Sequence, residues 1–485
     1  MNLREQLERA SGGGGAEAAG HGAAASAALR VLVLLAVALF VTFTLGASAA
    51  ARGTATLLGA LGINLLLLAG MAYALREVSG ALFASIGSLA VLAGLFALVA
   101  GVAAIVAALR PGAAELVPIA FLALVVSALY TRRDGLAVAV SAAIVIAWQP
   151  AYRTAESLPV LLVAGGTAAL VVQPTSQRDQ SYIWMLLVAA AVALALLALG
   201  VMASTPWEQT LADIVRGAAA TVVSVIAAML VMPFAERITG RETHLTLVEW
   251  GDLNRPLLQR LSLEAPGTYA HTIAIANLAE AGVRAIGANA LLARVGAYYH
   301  DIGKLSKPQY FVENQSRGRN PHDKLKPQTS ASIIRNHIRE GLELAEAEGV
   351  PKSIRAFITE HHGTGTIAYF LERARERGGE GGLASTAEFI YPGPVPQSSE
   401  TAVVMLADGV EAATRALAEP TPERIRDVIE LVIRQRLEQG QLRDTPLTLR
   451  QLTIVKQEFA RVLSGMYHSR IDYPTPSVPF EAVRP

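Results

Sequence analysis

The sequence contains no cysteine, which excludes both disulfide bonds and thiolate metal sites. A metal ion in this protein must therefore be held by histidine and carboxylate side chains. Charged residues are also few, at 17% of 485 residues, and the net charge is +1. Because no long basic run is present to follow a phosphate backbone, we predict no binding of a nucleic acid polymer.

Apolar residues are abundant and make up 52% of the chain. Up to about residue 235 they form long runs separated by short charged breaks, a pattern typical of polytopic membrane proteins. We expect a lipid bilayer to surround this half of the chain, which would cross it about seven or eight times. The runs are residues 28–49, 55–75, 81–109, 113–130, 135–148, 158–172, 183–203 and 214–235.

The distribution of arginine predicts the orientation of these spans, because cytoplasmic loops retain positive charge. If there are eight spans, most arginines outside them fall on the side of the N-terminus, and only Arg52, Arg110 and Arg153 fall on the other side. Both termini would then be cytoplasmic, and the protein would be a multi-pass protein of the cell membrane.

The composition changes at about residue 235. Beyond it charged residues become frequent and apolar residues recur at helical spacing. We therefore predict an all-α fold in which a polytopic transmembrane helix bundle is followed by a cytoplasmic, all-helical domain. The predicted divisions are a flexible leader over residues 1–27, the transmembrane helices over 28–235, and the cytoplasmic domain with its C-terminal helices over 236–485.

Histidine is concentrated in this second half. Five of the nine histidines stand on predicted helices or helix ends there, and two aspartates complete the set: His271, His300, Asp301, His337, His361, His362 and Asp408. Imidazole and carboxylate groups suit iron, manganese or zinc, and seven ligands are too many for one tetrahedral site. Two metal ions sharing one carboxylate would use them all, and such a pair is suited to phosphate ester hydrolysis.

The other four histidines receive no role in this site. His21 stands alone in a Gly-rich and Ala-rich segment, and His322 is predicted to be exposed in a loop. His244 and His468 are predicted to be structural.

The order His271, His300-Asp301, Asp408 resembles the H…HD…D signature of the HD superfamily of metal-dependent phosphohydrolases, and "HDIGK" at 300–304 is its common core form. Longer stretches closely resemble the seven-transmembrane-HD family of bacterial cyclic di-AMP phosphodiesterases, the PgpH-like enzymes. These stretches are "NRPLLQRLSLEAPGTYAHT" (254–272), "FIYPGPVPQSSETAVVMLADGVEAATRAL" (389–417) and "GMYHSRIDYP" (465–474). The resemblance covers residues 205–474, and the membrane half more loosely.

The resemblance implies a metal-dependent phosphodiesterase that opens cyclic di-AMP to linear pApA with two manganese or iron ions. A hydroxide held by the metals would attack phosphorus, which gives His300 and Asp301 a catalytic role. Asp301 would bridge the ions. One ion would be held by His271, His300, Asp301 and Asp408, and the other by Asp301, His337, His361 and His362.

Three further residues are candidates for contact with the substrate. Lys304 lies one helical turn after Asp301, where an ammonium group can take part in catalysis or bind a substrate phosphate. A lysine stabilised by the dipole at a helix end explains the same position. Tyr310 and Tyr391 are candidates to stack on adenine, and burial in the core is the alternative.

The sequence departs from the family pattern between the first two spans. PgpH-like enzymes have a large extracellular domain there, whereas only residues 50–54 separate the spans in this chain. The resemblance therefore does not imply that this chain senses an external signal. The chemistry of the HD domain does not depend on that segment.

Three other functions are alternatives to this one. Cyclic di-GMP enzymes of the HD type need Gly-Tyr-Pro after the paired histidines, which "HHGTGTIAYF" (361–370) lacks. An HD-type hydrolase of another nucleotide phosphate would need only the four ligands of the H…HD…D signature, which are His271, His300, Asp301 and Asp408. A membrane receptor with a regulatory HD module would be expected to have lost ligands, and all seven are present.

The oligomeric state stays open at this level. The helix predicted over residues 422–439 has an apolar face that is suited to pairing two protomers as a homodimer. Packing within one chain explains the same pattern.

Overall fold

The structure, a computed structural model, describes residues 14–45, 53–83, 85–172, 180–315, 320–378 and 385–467. The chain divides into two compact units, Met1–Leu245 and Thr246–Pro485, a little beyond the predicted boundary. Within the described ranges the regular structure is helical, and one isolated bridge joins Thr366 and Ile390. The predicted all-α fold is confirmed.

The first unit consists of a series of apolar helices. Its helices are α1 Gly14–Leu45, α2 Thr54–Val78, α3 Ile86–Leu109, α4 Ile119–Leu129, α5 Arg132–Ala147, α6 Ser157–Val171, α7 Gln180–Met202 and α8 Trp207–Thr239. Each predicted run therefore contains one helix. Helix α1 begins inside the segment predicted as a flexible leader, so residues 14–27 are helical, and residues 1–13 lie outside the described residues.

Four of these helices are long and apolar enough to cross a bilayer: Thr54–Val78, Ile86–Leu109, Tyr182–Met202 and Trp207–Thr239. Shorter apolar helices lie over Ala28–Thr44, Ala114–Leu129 and Ser157–Val171. Length is the physical criterion here, since about 20 helical residues match the thickness of the hydrocarbon core. Among the residues that the structure describes there are thus four full-length candidate spans and several shorter apolar helices.

Helices α4, α5 and α6 approach each other closely through glycines. A Cβ atom at Gly165 of α6 would lie 2.9 Å from Ala139 Cβ of α5. A Cβ atom at Gly135 would lie 1.8 Å from Ser127 Oγ of α4. Small residues permit this spacing, which in a lipid environment is a main source of helix association.

Three polar contacts join distant parts of the first unit. Asn64 of α2 donates to Thr42 Oγ1 of α1 and accepts from Gln149, both at 2.9 Å, and all three side chains are buried. Arg216 of α8 contacts Glu115, which is 7% exposed, at 3.1 Å. Such groups are costly to bury alone, so each contact selects one arrangement of the helices.

The second unit is a compact helical domain. It contains helices α9 His244–Trp250, α10 Pro256–Glu264, α11 Pro266–Ala285, α12 Ala290–Tyr299, α13 Pro327–Ala347, α14 Lys352–Glu360, α15 Ala368–Gly378, α16 Ser399–Arg415, α17 Pro422–Glu438 and α18 Leu449–Met466. Short 3₁₀ turns connect α12 to α13, the first of them Ile302–Ser306.

Helix α11 lies at the centre of this domain, against α12, α16 and α18. A Cβ atom at Gly282 would lie 2.9 Å from the Phe459 ring of α18, so the helices touch through a glycine. The apolar face of α17 is buried within the chain through Ile425, Ile429 and Ile433. Intramolecular packing therefore accounts for this face, and the homodimer stays a prediction.

Candidate metal centre

Five different elements supply the predicted ligands. His271 lies in α11, His300 and Asp301 follow α12, His337 lies in α13, His361 and His362 follow α14, and Asp408 lies in α16. The structure brings all seven side chains together. Three overlapping groups have ligand atoms within 4.8 Å of one another: His271-His300-Asp408, His300-Asp301-His361 and His337-His361-His362.

The chain reaches this point by a sharp change after α12. His300 still has helical backbone angles, Asp301 leaves them, and a 3₁₀ turn begins at Ile302. Gly303 makes this turn possible, because a Cβ atom there would lie 1.8 Å from the carbonyl oxygen of His337. A glycine two residues after Asp301 is thus required by the close approach of the two backbones.

Asp301 lies between two sets of imidazoles. Its Oδ2 lies 3.2 Å from His300 Nε2 and 3.6 Å from His271 Nε2. Its Oδ1 lies 3.5 Å from His337 Nε2 and 3.7 Å from His361 Nε2. Each oxygen of one buried carboxylate therefore faces a different set of nitrogens, as a carboxylate that bridges two metal ions must do.

Asp408 is a second carboxylate whose two oxygens face imidazoles of both sets. Its Oδ1 lies 3.1 Å from His271 Nε2, and its Oδ2 lies 3.7 Å from His362 Nδ1. The imidazoles of His337 and His361 also approach one another, with 3.3 Å between their Nε2 atoms. Seven donor groups thus converge from several directions on one small region.

The opposite ring nitrogens show which atoms are free to bind a metal ion. His300 Nδ1 lies 2.7 Å from the Ala297 carbonyl oxygen, and His337 Nδ1 lies 2.5 Å from that of Ile334. His361 Nδ1 lies 2.9 Å from the Phe357 carbonyl oxygen. A carbonyl oxygen only accepts, so each Nδ1 donates and each neutral ring keeps its lone pair on Nε2.

The Nε2 lone pairs of these imidazoles face the oxygens of carboxylates. Lone pairs and carboxylate oxygens repel each other, so a positive charge between them would stabilise the arrangement. His300 Nε2 and Asp301 Oδ1 are buried, and neither has a hydrogen-bond partner among the described residues. Unsatisfied buried polar atoms are rare and need an explanation. A divalent cation fits, since imidazole and carboxylate are ligands that iron, manganese and zinc accept.

The pKa values of the ligands reflect this crowding. Burial lowers the pKa of His361 to about 3, and His300 adds to the effect. Burial also lowers the pKa of His337 and His362. These three imidazoles are therefore neutral at physiological pH, which is the form that binds metal ions.

His271 differs from the other imidazoles. Burial would lower its pKa, but hydrogen bonds to Asp408 and Glu411 outweigh burial and raise the pKa to about 9. Burial would raise the pKa of Asp408, yet the hydrogen bond to His271 and the neighbouring imidazoles hold it below its usual range. Without a metal ion this corner of the site attracts a proton, which is further evidence that it stabilises positive charge.

Glu411 is a candidate supporting residue that was not predicted from the sequence. It lies one turn after Asp408 on α16, is buried, and its Oε2 lies 2.7 Å from His271 Nδ1. A carboxylate on the far nitrogen of a metal-binding imidazole fixes the ring orientation and raises its basicity. The spacing of Asp408 and Glu411 by three residues was the available signal, because such residues share a helix face.

Lys304 is surrounded by carboxylates. Its Nζ lies 2.7 Å from Asp301 Oδ2 and 2.7 Å from Glu313 Oε1. Glu313 accepts from Thr268 Oγ1 at 3.1 Å, and Thr268 in turn accepts from Asn314 at 2.8 Å. Lys304 thus contacts the carboxylate of Asp301 directly, and its ion pairs with Asp301 and Glu313 occupy the ammonium group in the structure.

The two predicted tyrosines lie in different surroundings. Tyr391 stacks on His362, with 4.2 Å between the ring centroids and an interplanar angle of 26°. Tyr310 packs against His322 at 5.3 Å, and its carbonyl oxygen accepts from His322 Nε2 at 2.8 Å. The structure therefore brings Tyr391 to the metal centre, whereas Tyr310 joins a neighbouring cluster.

His322 corrects one expectation. The loop composition predicted an exposed side chain, but His322 is 4% exposed and packs between Tyr310 and Phe370. A local pattern of polar residues does not reveal that a distant helix, here α15, covers the loop. His468 lies outside the described residues.

Comparison with known families and proteins finds the same two parts. The family model described as "7TM receptor with intracellular HD hydrolase" matches residues 54–243, and the HD domain model matches residues 268–413. Together the two models match more than half of the chain.

Two curated relatives carry the name cyclic-di-AMP phosphodiesterase PgpH. The protein from Bacillus subtilis (strain 168) is 44% identical over 243 residues, which are 50% of this chain and 34% of that protein. The protein from Listeria monocytogenes serotype 1/2a (strain 10403S) is 42% identical over 244 residues, again 50% of this chain and 34% of that protein. The matched region is thus about a third of each relative's length.

A solved structure is also similar in sequence. The crystal structure of the L. monocytogenes PgpH HD domain in complex with cyclic-di-AMP is 42% identical, covers 45% of this chain and 100% of that chain, and gives a TM-score of 0.43. From the two family models and the two relatives, this chain belongs to the seven-transmembrane-HD family, with PgpH-like phosphodiesterases among its homologues.

Proposed function

We propose that this protein is a membrane-anchored phosphodiesterase that uses two metal ions to hydrolyse cyclic di-AMP to linear pApA. The observation that carries the proposal is the position of Asp301, whose two oxygens face two separate sets of imidazoles. The relatives that carry the name cyclic-di-AMP phosphodiesterase support the choice of substrate.

In this proposal each side chain has a defined task. His271, His300 and Asp408 would hold one ion, His337, His361 and His362 would hold the other, and Asp301 would contribute to both sites. When bound, two manganese or iron ions would supply an activated hydroxide and neutralise charge on the phosphate.

The remaining residues orient this set. Glu411 fixes His271 through Nδ1, and Lys304 holds Asp301 in place from the side of Glu313. Tyr391 stacks on His362, and an aromatic ring at this position is suited to contact with an adenine. Such supporting contacts are needed because small displacements of reacting groups greatly slow a reaction.

We further propose that the metal centre faces the cytoplasm. The apolar helices and the family model support a multi-pass membrane protein. The excess of arginine on the side of the N-terminus supports the orientation, because positive loops remain cytoplasmic.

The test is hydrolysis by the full chain, purified in detergent with Mn²⁺ or Fe²⁺ and given cyclic di-AMP and cyclic di-GMP in parallel. We expect faster conversion of cyclic di-AMP, with pApA as the product on chromatography. Asp301→Asn should abolish turnover because it removes the bridging charge, whereas Asp427→Asn on the exposed face of α17 should retain it.

Different results overturn different parts of the proposal. Preferred cleavage of cyclic di-GMP contradicts the substrate. Retained turnover by Asp301→Asn with metal ions present contradicts the site. No turnover of either cyclic dinucleotide by the metal-loaded wild-type chain means that the centre serves another phosphate ester.

A further inference from the structure

Arg436 of α17 lies beside the metal centre although it is far from the ligands in sequence. A Cβ atom at Gly409, the residue after Asp408, would lie 3.8 Å from Arg436 Nη2. A Cβ atom at Gly365, three residues after His362, would lie 3.3 Å from Arg436 Nη1. The guanidinium group therefore lies next to two glycines that border the ligands on two different elements.

The charge of Arg436 has no acidic partner among the described residues. Its polar contact there is with Gln439 Oε1, at 3.4 Å. Other arginines of α17 contact carboxylates, as Arg434 does with Glu430 at 3.8 Å and Arg426 with Glu423 at 3.0 Å. Arg436 is also partly buried, and a partly desolvated cation favours an anion as its neighbour.

Two other cations near the centre are already paired. Lys304 lies 2.7 Å from Asp301 and Glu313, and Arg415 lies 3.5 Å from Glu411. Neither can take a phosphate without giving up a carboxylate. Arg436 has no such contact to give up, so it is the better candidate for an anion of the substrate.

The surroundings of Arg436 are those of a binding surface. The Tyr391 backbone N–H donates to the Gly365 carbonyl oxygen at 3.0 Å, which fixes the turn beside the guanidinium. Tyr391 stacks on His362. Arg436, Tyr391 and His362 therefore lie close together at one edge of the centre.

We propose that Arg436 binds the second phosphate of the cyclic dinucleotide, the one that is not being hydrolysed. This inference rests on the proposed function. A cyclic dinucleotide carries two phosphates on one ring, so a substrate with one phosphate at the metal ions presents the other to a neighbouring group. Guanidinium is suited to this task because it binds phosphate through two parallel N–H donors. Arg436 would thus determine specificity for a substrate with two phosphates.

The test compares two substrates on the full chain in detergent with Mn²⁺: cyclic di-AMP, with two phosphates, and bis(p-nitrophenyl) phosphate, with one. Arg436→Ala should raise KM for cyclic di-AMP about tenfold to a hundredfold, the loss expected for one charge-assisted contact. It should leave kcat for cyclic di-AMP and the hydrolysis of the simple diester unchanged. Arg436→Lys should recover part of the affinity, because lysine keeps the charge without the paired donors.

Arg434→Ala is the matched control, since Arg434 lies two residues away on the same helix and is exposed. It should resemble the wild type with both substrates. Thermal unfolding of each variant checks that the fold is retained.

Two outcomes overturn the inference alone. An unchanged KM for cyclic di-AMP in Arg436→Ala means that the second phosphate binds elsewhere. An equal loss of activity with both substrates means that Arg436 maintains the metal centre and does not bind the second phosphate. If the wild-type chain hydrolyses the simple diester but not cyclic di-AMP, the proposed function fails and this inference fails with it, and the failure is then visible without any substitution.

Discussion

Replacing Glu411 by alanine removes the carboxylate that faces His271 Nδ1 at 2.7 Å. His271 would keep its place in α11, but its ring would lose the contact that fixes its orientation and raises its basicity. Outer partners of metal-binding histidines contribute about tenfold to a hundredfold to metal affinity. This corresponds to about 1.4–2.8 kcal/mol, in the range of one hydrogen bond to a charged group.

A proton on His271 brings the expected loss of metal affinity towards the lower end of this range. Its pKa of about 9 means that the metal-free protein holds a proton there at pH 7.5, and a metal ion must displace it. Glu411→Ala removes one of the hydrogen bonds that raise this pKa. Metal binding then competes with less proton binding, which offsets part of the loss. We therefore expect a loss nearer to tenfold.

Isothermal titration of the metal-free full chain with Mn²⁺ measures both effects. The affinity of the site that contains His271 should fall about tenfold. The number of protons released per ion, obtained from titrations in buffers of different ionisation enthalpy, should also fall. Glu419→Gln, which alters an exposed ion pair with Arg424, is the control and should change neither quantity. Wild-type affinity together with wild-type proton release in Glu411→Ala would refute the reasoning.

Three further substitutions test the supporting geometry. His337→Ala should lower the metal content of the purified chain from two ions towards one, because this imidazole faces one oxygen of the bridging carboxylate, and an unchanged content in elemental analysis contradicts the assignment. Lys304→Ala leaves Glu313 and the bridging carboxylate without their cation, so the metal-free protein should lose about 3–5 kcal/mol of stability, seen as a lower midpoint of thermal unfolding. An unchanged midpoint would show that the ion pair adds nothing. Gly303→Ala should destabilise the domain by at least about 1–3 kcal/mol and abolish activity, since its Cβ would overlap a backbone carbonyl. Gly465→Ala, in open space on α18, should instead stabilise by about 0.5–1 kcal/mol, and equal effects of the two changes would refute the steric argument.

The seven side chains that meet at the centre were predictable from the sequence, because few residue types bind transition metals and because the chain lacks cysteine and has only nine histidines. The positions of the apolar runs were predictable for a similar reason. Hydrophobic length and helical spacing are local properties, so each run contains one helix in the structure.

The lengths of the membrane-half helices were less predictable. The sequence predicted an apolar run over residues 113–130, but within it Ile119–Leu129 forms only 11 residues of α-helix and is almost wholly buried. Glycines such as Gly165 let the short helices pack closely, and that packing depends on neighbours in space. The buried contacts of Asn64 and of Glu115 likewise became visible only in the structure.

The sequence by itself determined the chemistry of this protein: an apolar half, a helical half, and a set of imidazoles and carboxylates suited to divalent metals. Only the tertiary structure decided how those groups act on one another. In the folded chain the two oxygens of Asp301 face different imidazoles. His271 contacts Glu411, which is 140 residues away in sequence, and Arg436 lies beside Gly409. The physical reason is that residue type and helical period are local, whereas the contact between two side chains depends on how separate helices pack.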